Sequence, residues 1–231
     1  MKLSIIIPCY NEADTIREVI RRVEGISIPE KEIIIVDDGS TDGTREILKG
    51  ESFPGVIKII FHERNFGKGV ALSTGFTVAT GDVLVVQDAD FEYDPKELPV
   101  LLAKISEEGA EVVYGSRFYS GNPESAISYR HVTANRFLTG LSNLFTGLRL
   151  TDMETCYKMF RREVIESIRI EEKRFGFEPE ITAKISRRGY RIHEIPISYQ
   201  GRTEEQGKKI GWKDGISAIR AIVKYNTWHR N

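Results

Sequence analysis

The sequence has 231 residues, of which 40% are hydrophobic, and this content excludes an intrinsically disordered chain. Its length suffices for one domain with a sizeable core. The 33 Lys and Arg residues nearly balance the 34 Asp and Glu residues, which excludes a uniformly basic nucleic-acid binder, and we expect no nucleic acid among its partners.

The cysteines and the lengths of the apolar segments indicate where in the cell the protein is expected to be found. Cys9 and Cys156 lack the spacing of a zinc site or a disulfide framework, so we expect free thiols in a cytoplasmic protein. No apolar run reaches the roughly 18 residues of a membrane-spanning helix, and the N-terminal segment lacks the features of a signal peptide. Any contact with a membrane is therefore expected to be peripheral, on the cytoplasmic membrane face.

The first half of the chain alternates short apolar runs with helical patterns. Most runs are apolar throughout, which is typical of parallel strands buried on both faces. The alternation predicts an α/β fold with a doubly wound, mostly parallel sheet. The predicted strands are residues 3–8, 32–37, 56–61, 83–88 and 111–115. The predicted helices are residues 13–23, 43–48, 69–79 and 95–108, the last of them capped by Asp94.

The pattern changes after Arg117. Further elements are predicted as a helix with an apolar face at 128–145, a strand at 156–161, a helix at 178–188, a strand at 191–199 and a helix from about 213 to 228. We expect one domain in three parts, namely a nucleotide-binding half at 1–117, an acceptor-binding half at 118–200, and a basic loop with an amphipathic helix at 201–231.

Polar residues follow four of the predicted strands, and ligands of a doubly wound sheet bind beyond the carboxyl ends of its strands. These residues are therefore predicted to meet at one edge of the sheet and to form a site. They are Tyr10 and Glu12 after the first strand, Asp37 and Asp38 after the second, Asp88 and Asp90 after the fourth, and Arg117 after the fifth.

The acidic segment after the fourth strand predicts a metal site. Asp88 and Asp90 are two residues apart, so in an extended chain their side chains point the same way. Mg²⁺ and Mn²⁺ favour carboxylate oxygens and take further oxygens from substrate phosphates. Glu92 continues the spacing as a candidate third ligand. A solvated acidic turn would carry the same Asp-x-Asp spacing, but the position at the rim of a parallel sheet favours a metal site.

Five segments in this order resemble family 2 glycosyltransferases with the GT-A fold: residues 5–12, 36–42, 65–69, 87–90 and 115–117. Within that family they are most similar to dolichol- or polyprenyl-phosphate sugar (mannose) synthases without transmembrane helices. The resemblance implies a Rossmann-like nucleotide-binding half and a C-terminal acceptor-binding half. It also implies metal-dependent, inverting transfer of a hexose from a nucleoside-diphosphate sugar, of the GDP-mannose or UDP-glucose type, to a polyprenyl or dolichyl phosphate.

The resemblance also assigns residues. It implies that the nucleoside is held by Pro8, Tyr10, Glu12, Val36 and Asp37. It implies that Asp88 and Asp90 hold Mg²⁺ or Mn²⁺ on the diphosphate, with Glu92 where many such relatives carry Gln. The further candidates for the nucleotide sugar are Asp38, Lys68, Ala89, Arg202 and Lys208.

Whether the acceptor is a phosphate or a hydroxyl decides which side chains must bind or activate it. A phosphate monoester has a second pKa near 6, so it needs cations to hold it more than a base to activate it. Arg117 and Arg130 are the candidate cations, because guanidinium groups bind phosphate bidentately. A hydroxyl acceptor needs a base instead, for which Asp152 is the first candidate, followed by other acids at 154, 178 and 180. The candidate catalytic residues are Asp90, Arg117 and Asp152.

The C-terminal segment is basic. From residue 202 onward, seven Lys or Arg residues stand against three Asp or Glu residues. Residues 202–209 are predicted either to close over the diphosphate or to form a plain surface loop. The helix after them either rests on anionic lipid or packs on the sheet.

Two other enzymatic functions stay open, besides a nucleotide-binding module without catalytic activity. One is transfer to a hydroxyl of a glycan or small molecule by the same fold. The other is sugar nucleotidyl transfer, although that class usually has a Gly-rich loop with Arg after its first strand, where this chain has residues 8–12.

Overall fold

The structure is a computed structural model that describes residues 1–53, 55, 57–119, 129–202 and 212–227, without the side chains at 57, 129–131, 212 and 213. The strands are β1 (Leu3–Cys9), β2 (Lys31–Asp37), β3 (Ile57–Phe61), β4 (Val83–Val86), β5 (Val112–Ser116), β6 (Lys158–Arg161) and β7 (Ile192–Pro196). The helices are α1 (Ile16–Glu24), α2 (Thr44–Gly50), α3 (Lys68–Val78), α4 (Leu98–Ser106), α5 (Tyr129–Thr146), α6 (Arg162–Glu166), α7 (Phe177–Arg187) and α8 (Trp212–Thr227).

The strands form one sheet in the order β3-β2-β1-β4-β6-β5-β7. Neighbouring strands are parallel except around β6, which runs antiparallel to β4 and β5. The predicted doubly wound, mostly parallel sheet is therefore confirmed. Its winding reverses between β1 and β4, and a ligand crevice is expected outside the carboxyl ends of these two strands. The sheet continues through β6 and β7, so both predicted halves contribute to it.

The core lies on both faces of this sheet. β4 and β5 are buried along their whole length, as the uniformly apolar runs predict. Helix α3 packs on β1, while α5, α7 and α8 pack against one another. In the part of the chain that the structure describes, no helix combines the length and apolar character needed to cross a membrane.

Several predicted boundaries are two or three residues off, among them 13 against Ile16, 156 against Lys158 and 199 against Pro196. Two further differences have identifiable reasons. Strand β4 ends at Val86 instead of residue 88. The Gln87 N–H still donates to Ile6 O at 2.9 Å, but the next donor on β1 would be Pro8, which has no N–H to continue the pairing. The predicted helix at 95–108 divides into a 3-10 turn (Pro95–Glu97) and α4, since Pro99 has no N–H to continue the ladder. Its predicted cap is confirmed, because Asp94 Oδ1 accepts from the Lys96 N–H at 3.0 Å.

Replacing Gly75 by Ala is expected to destabilise the protein by about 1–3 kcal/mol, because a methyl group there would lie 2.4 Å from Ile6 Cγ2, where α3 crosses β1. The matched control is Gly140→Ala in α5. A methyl group at Gly140 meets nothing within 4 Å, so this variant should gain up to about 1 kcal/mol from helix propensity. Urea unfolding of both variants checks the prediction, which fails if they shift the midpoint in the same direction.

Glu32 gives the fold a defined acid sensitivity. Burial alone would raise its pKa, but hydrogen bonds from Ser4, Thr80 and Lys2 outweigh burial and lower the pKa to about 2. A lowered folded-state pKa stabilises the fold above the unfolded value near 4.5, and this stability is lost as the pH falls from there toward 2. Glu32→Gln should cost roughly 2 kcal/mol at pH 7 and flatten the acid limb of a stability-against-pH curve. An unchanged acid limb would contradict this assignment.

Candidate active site

A charged cluster lies beyond the ends of β1 and β4, in the expected crevice. Arg202 donates from Nη1 and Nη2 to the two carboxylate oxygens of Glu12 at 3.1 and 2.7 Å. The same Nη2 atom lies 3.2 Å from Asp90 Oδ2. Arg202 thus connects the residues after β1 to those after β4, and it brings together three of the predicted site residues.

Lys68, the first residue of α3, closes the other side of this cluster. Its Nζ atom lies 3.0 Å from Asp88 Oδ1 and 3.2 Å from Glu178 Oε1. Burial alone would raise the pKa of Asp88, but the Lys68 ammonium, a hydrogen bond from Cys156 and the charge of Arg202 together outweigh burial and lower it. The cationic candidates Lys68 and Arg202 therefore each pair with one of the two candidate metal ligands.

The carboxylates of Asp88 and Glu92 act electrostatically on the carboxylate of Asp90. Burial is the largest cause that raises the pKa of Asp90 to about 7, and the negative charges of Asp88 and Glu92 add to it. Because β4 ends at Val86, the prediction that an extended strand aligns these aspartates is wrong. They lie in the following turn, where Asp90 Oδ1 accepts from the Glu92 N–H at 3.0 Å.

Whether these residues fit a divalent cation depends on their number and chemistry. Within the described ranges, no group of three or more His, Cys, Asp or Glu residues is arranged to hold a metal ion. Mg²⁺ is usually held by one or two carboxylates together with substrate phosphates and water. Asp88 and Asp90 supply the hard oxygen donors such an ion favours, so they fit a cation that arrives with a diphosphate rather than a preformed metal cage.

Asp37, at the end of β2, has one carboxylate oxygen that the described residues leave without a hydrogen bond. Its side chain is fully buried, and Oδ2 lies 3.2 Å from Arg45 Nε and 3.3 Å from the Ser40 N–H. Oδ1 is buried and has no hydrogen-bond partner among the described residues. An unpaired buried acceptor costs about 1–3 kcal/mol, so this oxygen suits a ligand hydroxyl or N–H group.

Asp38, the second predicted carboxylate after β2, is engaged within the protein. Its Oδ1 atom accepts from the Phe66 N–H at 3.0 Å and lies 2.8 Å from His62 Nδ1, and its Oδ2 atom accepts from the Gly67 N–H at 2.7 Å. These bonds hold the segment that leads into α3 and thereby position Lys68. Asp38 thus acts on the site through Lys68 in this structure.

Arg117 and Asp152, predicted separately as an acceptor ligand and a catalytic acid, form one buried pair. The Arg117 Nε and Nη2 atoms donate to the two Asp152 oxygens at 2.6 and 2.8 Å, and the Arg117 backbone N–H adds a third bond at 3.1 Å. The guanidinium also lies 5.0 Å from the centre of the Tyr199 ring. Both carboxylate oxygens of Asp152 therefore accept hydrogen bonds from Arg117 and fix its position.

A second buried group of charges lies behind Lys68. Burial is the main cause that raises the pKa of Glu154 to about 8, and the negative charge of Glu178 adds to it. Burial also lowers the pKa of Lys158 to about 8. Glu154 Oε1 and Glu178 Oε2 are both buried and lack hydrogen-bond partners in the described part of the chain. Both acids were predicted from the sequence, whereas Lys158 was not, although a lysine directly before Met159 and Phe160 in a predicted strand was a signal for it.

The other predicted site residues divide by exposure. Pro8 and Tyr10 are half-buried at the end of β1, whereas Val36 and Ala89 are buried. Lys208 lies outside the described residues, as does the side chain of Arg130. Glu92 is tied to the segment before Arg202, because its Oε1 atom accepts from the Arg202 N–H at 2.9 Å.

Several known proteins have sequences similar to that of this chain. The pattern described as glycosyl transferase family 2 matches residues 4–169. The chain is 31% identical to the undecaprenyl-phosphate mannosyltransferase of Micrococcus luteus over 99% of this chain and 94% of that protein. It is 30% identical to the polyprenol monophosphomannose synthase of Mycolicibacterium smegmatis over 97% of this chain and 85% of that protein. It is 31% identical to the undecaprenyl-phosphate 4-deoxy-4-formamido-L-arabinose transferase of Klebsiella pneumoniae over 87% of this chain, and it spans 60% of that protein's length.

Solved structures show the same fold. Glucosyl-3-phosphoglycerate synthase of Mycobacterium tuberculosis, with Mn²⁺, uridine diphosphate and glucosyl-3-phosphoglycerate, superposes with a TM-score of 0.73 at 20% identity, over 97% of this chain and 80% of that chain. The same enzyme with Mg²⁺ and uridine diphosphate gives a TM-score of 0.68 at 20% identity, over 97% of this chain and 79% of that chain. The predicted GT-A fold is thereby confirmed. Taken with the family match, these findings show that the chain belongs to glycosyltransferase family 2.

Proposed function

We propose that this chain transfers a hexose from a nucleoside-diphosphate sugar to a polyprenyl or dolichyl phosphate. The observation that carries the proposal is the charged cluster in the β1/β4 crevice, where Asp88 and Asp90 lie beside Lys68 and Arg202. Two carboxylates for a cation and two cationic side chains for phosphates are what a sugar diphosphate requires. The relatives named for undecaprenyl phosphate and polyprenol support the acceptor class.

The donor nucleoside would bind beside the ends of β1 and β2. The unpaired Asp37 Oδ1 atom supports this position, because a ribose hydroxyl or a base N–H would satisfy it. Pro8, Tyr10 and Val36 would line the same end of the sheet, and Arg202 would lie toward the diphosphate, for which Lys208 stays a candidate ligand. Residues 1–117 would thus form the donor-binding part of the domain.

Asp88 and Asp90 would hold Mg²⁺ or Mn²⁺, with Glu92 as the candidate third ligand. When bound, the cation supplies a Lewis acid that stabilises the departing diphosphate. The glucosyl-3-phosphoglycerate synthase structures contain Mn²⁺ or Mg²⁺ together with uridine diphosphate. Lys68 would orient the Asp88 carboxylate, to which it is already paired at 3.0 Å.

The acceptor phosphate would meet Arg117, with Arg130 as a second cation. Asp152 fixes the Arg117 guanidinium through two hydrogen bonds and so prepares it for a phosphate oxygen without a change of side-chain conformation. The phosphate needs no added base, since it is largely a dianion at neutral pH. Because such acceptors are membrane lipids, we place the protein peripherally at the cytoplasmic membrane face.

The test uses purified protein with Mn²⁺, undecaprenyl phosphate in detergent, and radiolabelled GDP-mannose or UDP-glucose. Donor-specific label in the organic-extractable fraction is the expected result. The same incubation without Mn²⁺ should lose the label. Label that appears only in water-soluble products, with the lipid replaced by glycans or small alcohols, would contradict a lipid phosphate acceptor.

One observation favours transfer to a hydroxyl as a second candidate. Glu154, with its pKa raised to about 8 and an unpaired buried oxygen, has the properties of a base or acid tuned for neutral pH. A Glu154→Gln variant that abolishes transfer to an alcohol would support this function. If Glu154→Gln transfers sugar to undecaprenyl phosphate at the wild-type rate, the lipid phosphate remains the favoured acceptor.

A further inference from the structure

Two buried glutamates connect the donor side of the proposed site to its acceptor side. Lys68 Nζ lies 3.0 Å from Asp88 Oδ1 and 3.2 Å from Glu178 Oε1, so one ammonium group joins the candidate metal ligand to Glu178. The negative charge of Glu178 and the positive charge of Arg117 both act on the carboxyl group of Glu154. These two glutamates, here called the glutamate pair, thus adjoin both the diphosphate side and the acceptor side.

Each member of the glutamate pair has one carboxyl oxygen without a partner. Glu178 Oε2 and Glu154 Oε1 are both buried and make no hydrogen bond among the described residues. Only 7% of the Glu178 side chain is exposed, whereas Glu154 is half-buried, so a ligand can reach the pair from the Glu154 side. Buried acceptors usually have a hydrogen-bond partner, and a ligand that donates hydrogen bonds would supply the missing one here.

The glutamate pair is held in place by contacts that leave these two oxygens unused. The buried Lys158 ammonium donates to the backbone oxygens of Met153, at 2.8 Å, and Thr155, and so fixes the chain on both sides of Glu154. Glu178 lies in the first turn of α7 and is fixed by its ion pair. Two immobilised carboxyl groups with unused oxygens are suited to bind a ligand without rearrangement.

The chemistry of the pair decides which ligand fits. Carboxylate oxygens accept hydrogen bonds and repel anions, so these oxygens exclude phosphate groups and suit the hydroxyl groups of a neutral ligand. A sugar is such a ligand. During transfer, the sugar must also lie between the diphosphate that leaves and the acceptor that attacks, and the glutamate pair adjoins both positions.

We propose that Glu154 and Glu178 bind hydroxyl groups of the donor's hexose through their unpaired oxygens and so determine which sugar is transferred. This inference rests on the proposed function for the presence of a sugar nucleotide in the crevice. It assigns the two residues a role in sugar specificity that does not depend on the identity of the acceptor.

The test is isothermal titration with Mn²⁺ of the wild type, Glu154→Gln and Glu178→Gln. The ligands are GDP, GDP-mannose, UDP and UDP-glucose. Each variant should bind the sugar nucleotide that the wild type prefers about tenfold more weakly, because a hydrogen bond to a charged group is lost. The affinity for the matching nucleoside diphosphate should stay within about twofold of the wild-type value.

Two outcomes of the titration would overturn the proposal. If Glu178→Gln weakens the binding of nucleoside diphosphate and sugar nucleotide equally, Glu178 only positions Lys68 and Asp88. Because no acceptor is present, a Glu154 that serves only as a base for a hydroxyl acceptor predicts unchanged donor binding by Glu154→Gln.

The matched control is Glu97→Gln. Glu97 Oε2 is likewise buried and unpaired among the described residues, while Oε1 accepts from the Ser198 N–H at 2.7 Å. It belongs to the 3-10 turn before α4 and not to the glutamate pair, so this variant should bind all four nucleotides as the wild type does. Circular dichroism should show the three variants folded.

Donors that lack one sugar hydroxyl test the same contacts in the unaltered protein. The wild type should bind at least one of the 2-, 3-, 4- and 6-deoxy analogues of its preferred donor about tenfold more weakly. Glu154→Gln or Glu178→Gln should lose that discrimination. Equal affinity of the wild type for the donor and all four analogues would overturn the proposal.

Transfer to undecaprenyl phosphate separates this inference from the proposed function. A wild type that discriminates against a deoxy donor but transfers no sugar to the lipid would refute the proposed acceptor and leave sugar recognition supported. A wild type that transfers sugar to the lipid, with the same deoxy discrimination in both variants, would refute sugar recognition and leave the proposed function supported.

Discussion

Replacing Asp90 by Asn is expected to lower the turnover of sugar transfer about a thousandfold, because the variant loses the carboxylate that would bind the proposed cation beside the diphosphate. The same change should leave the unfolding temperature unchanged or raise it. In the protein as it stands, burial and the charges of Asp88 and Glu92 disfavour the ionised Asp90 carboxylate. A variant that is more stable and less active has lost a functional charge rather than its fold.

The control for this prediction is Asp94→Asn, the same chemical change four residues along the chain. Asp94 caps the 3-10 turn, and Asn caps equally well, so both activity and stability should be retained. Initial rates at saturating donor and calorimetric unfolding temperatures of both variants test these expected effects on activity and stability. If Asp90→Asn transfers sugar at a rate within threefold of the wild type, Asp90 does not take part in the transfer reaction.

Removing either partner of the Arg117–Asp152 pair is expected to destabilise the protein by about 3–5 kcal/mol, because the remaining charge is left buried without compensation. Asp152 is fully buried, and only 10% of the Arg117 side chain is exposed. The double variant Arg117→Met/Asp152→Leu should lose much less than the sum of Arg117→Met and Asp152→Leu. Urea unfolding of the four proteins gives the coupling energy directly.

The Arg117–Asp152 pair is proposed both to stabilise the fold and to bind the acceptor phosphate, and a transfer assay separates these two roles. The double variant should remain folded but should no longer transfer sugar to a lipid phosphate, because the guanidinium that receives the acceptor is gone. Additive losses of stability in the two single variants would show that the pair is not coupled. Retained transfer in the double variant would show that the acceptor phosphate binds elsewhere.

The sequence predicted the sheet and the position of the site because both follow from local patterns. Uniformly apolar runs specify buried parallel strands, and the carboxyl ends of such strands meet at one edge. Asp37, Asp88 and Asp90 were identified by that rule together with the Asp-x-Asp spacing and the family resemblance. The rule holds here because β1, β2 and β4 are adjacent and parallel.

The partners of the site residues were not predictable, since they depend on residues distant in sequence. Asp152 lies 35 residues from Arg117, and Arg202 lies 190 residues from Glu12. The end of β4 was placed wrongly because it depends on pairing with β1, where Pro8 has no N–H to donate. Helical periodicity likewise predicted the apolar face of α5 but not that its phenylalanine at 137 remains exposed.

The central claim is that Asp88 and Asp90 share a divalent cation with a sugar donor's diphosphate. A crystal grown with Mn²⁺ and a nucleoside diphosphate, measured at the manganese absorption edge, tests it most directly. We predict one anomalous peak at about 2.0–2.2 Å from oxygens of Asp88 or Asp90 and of the diphosphate, with the nucleoside beside Asp37. Nucleotide bound in the crevice with no manganese peak near either aspartate would contradict the account.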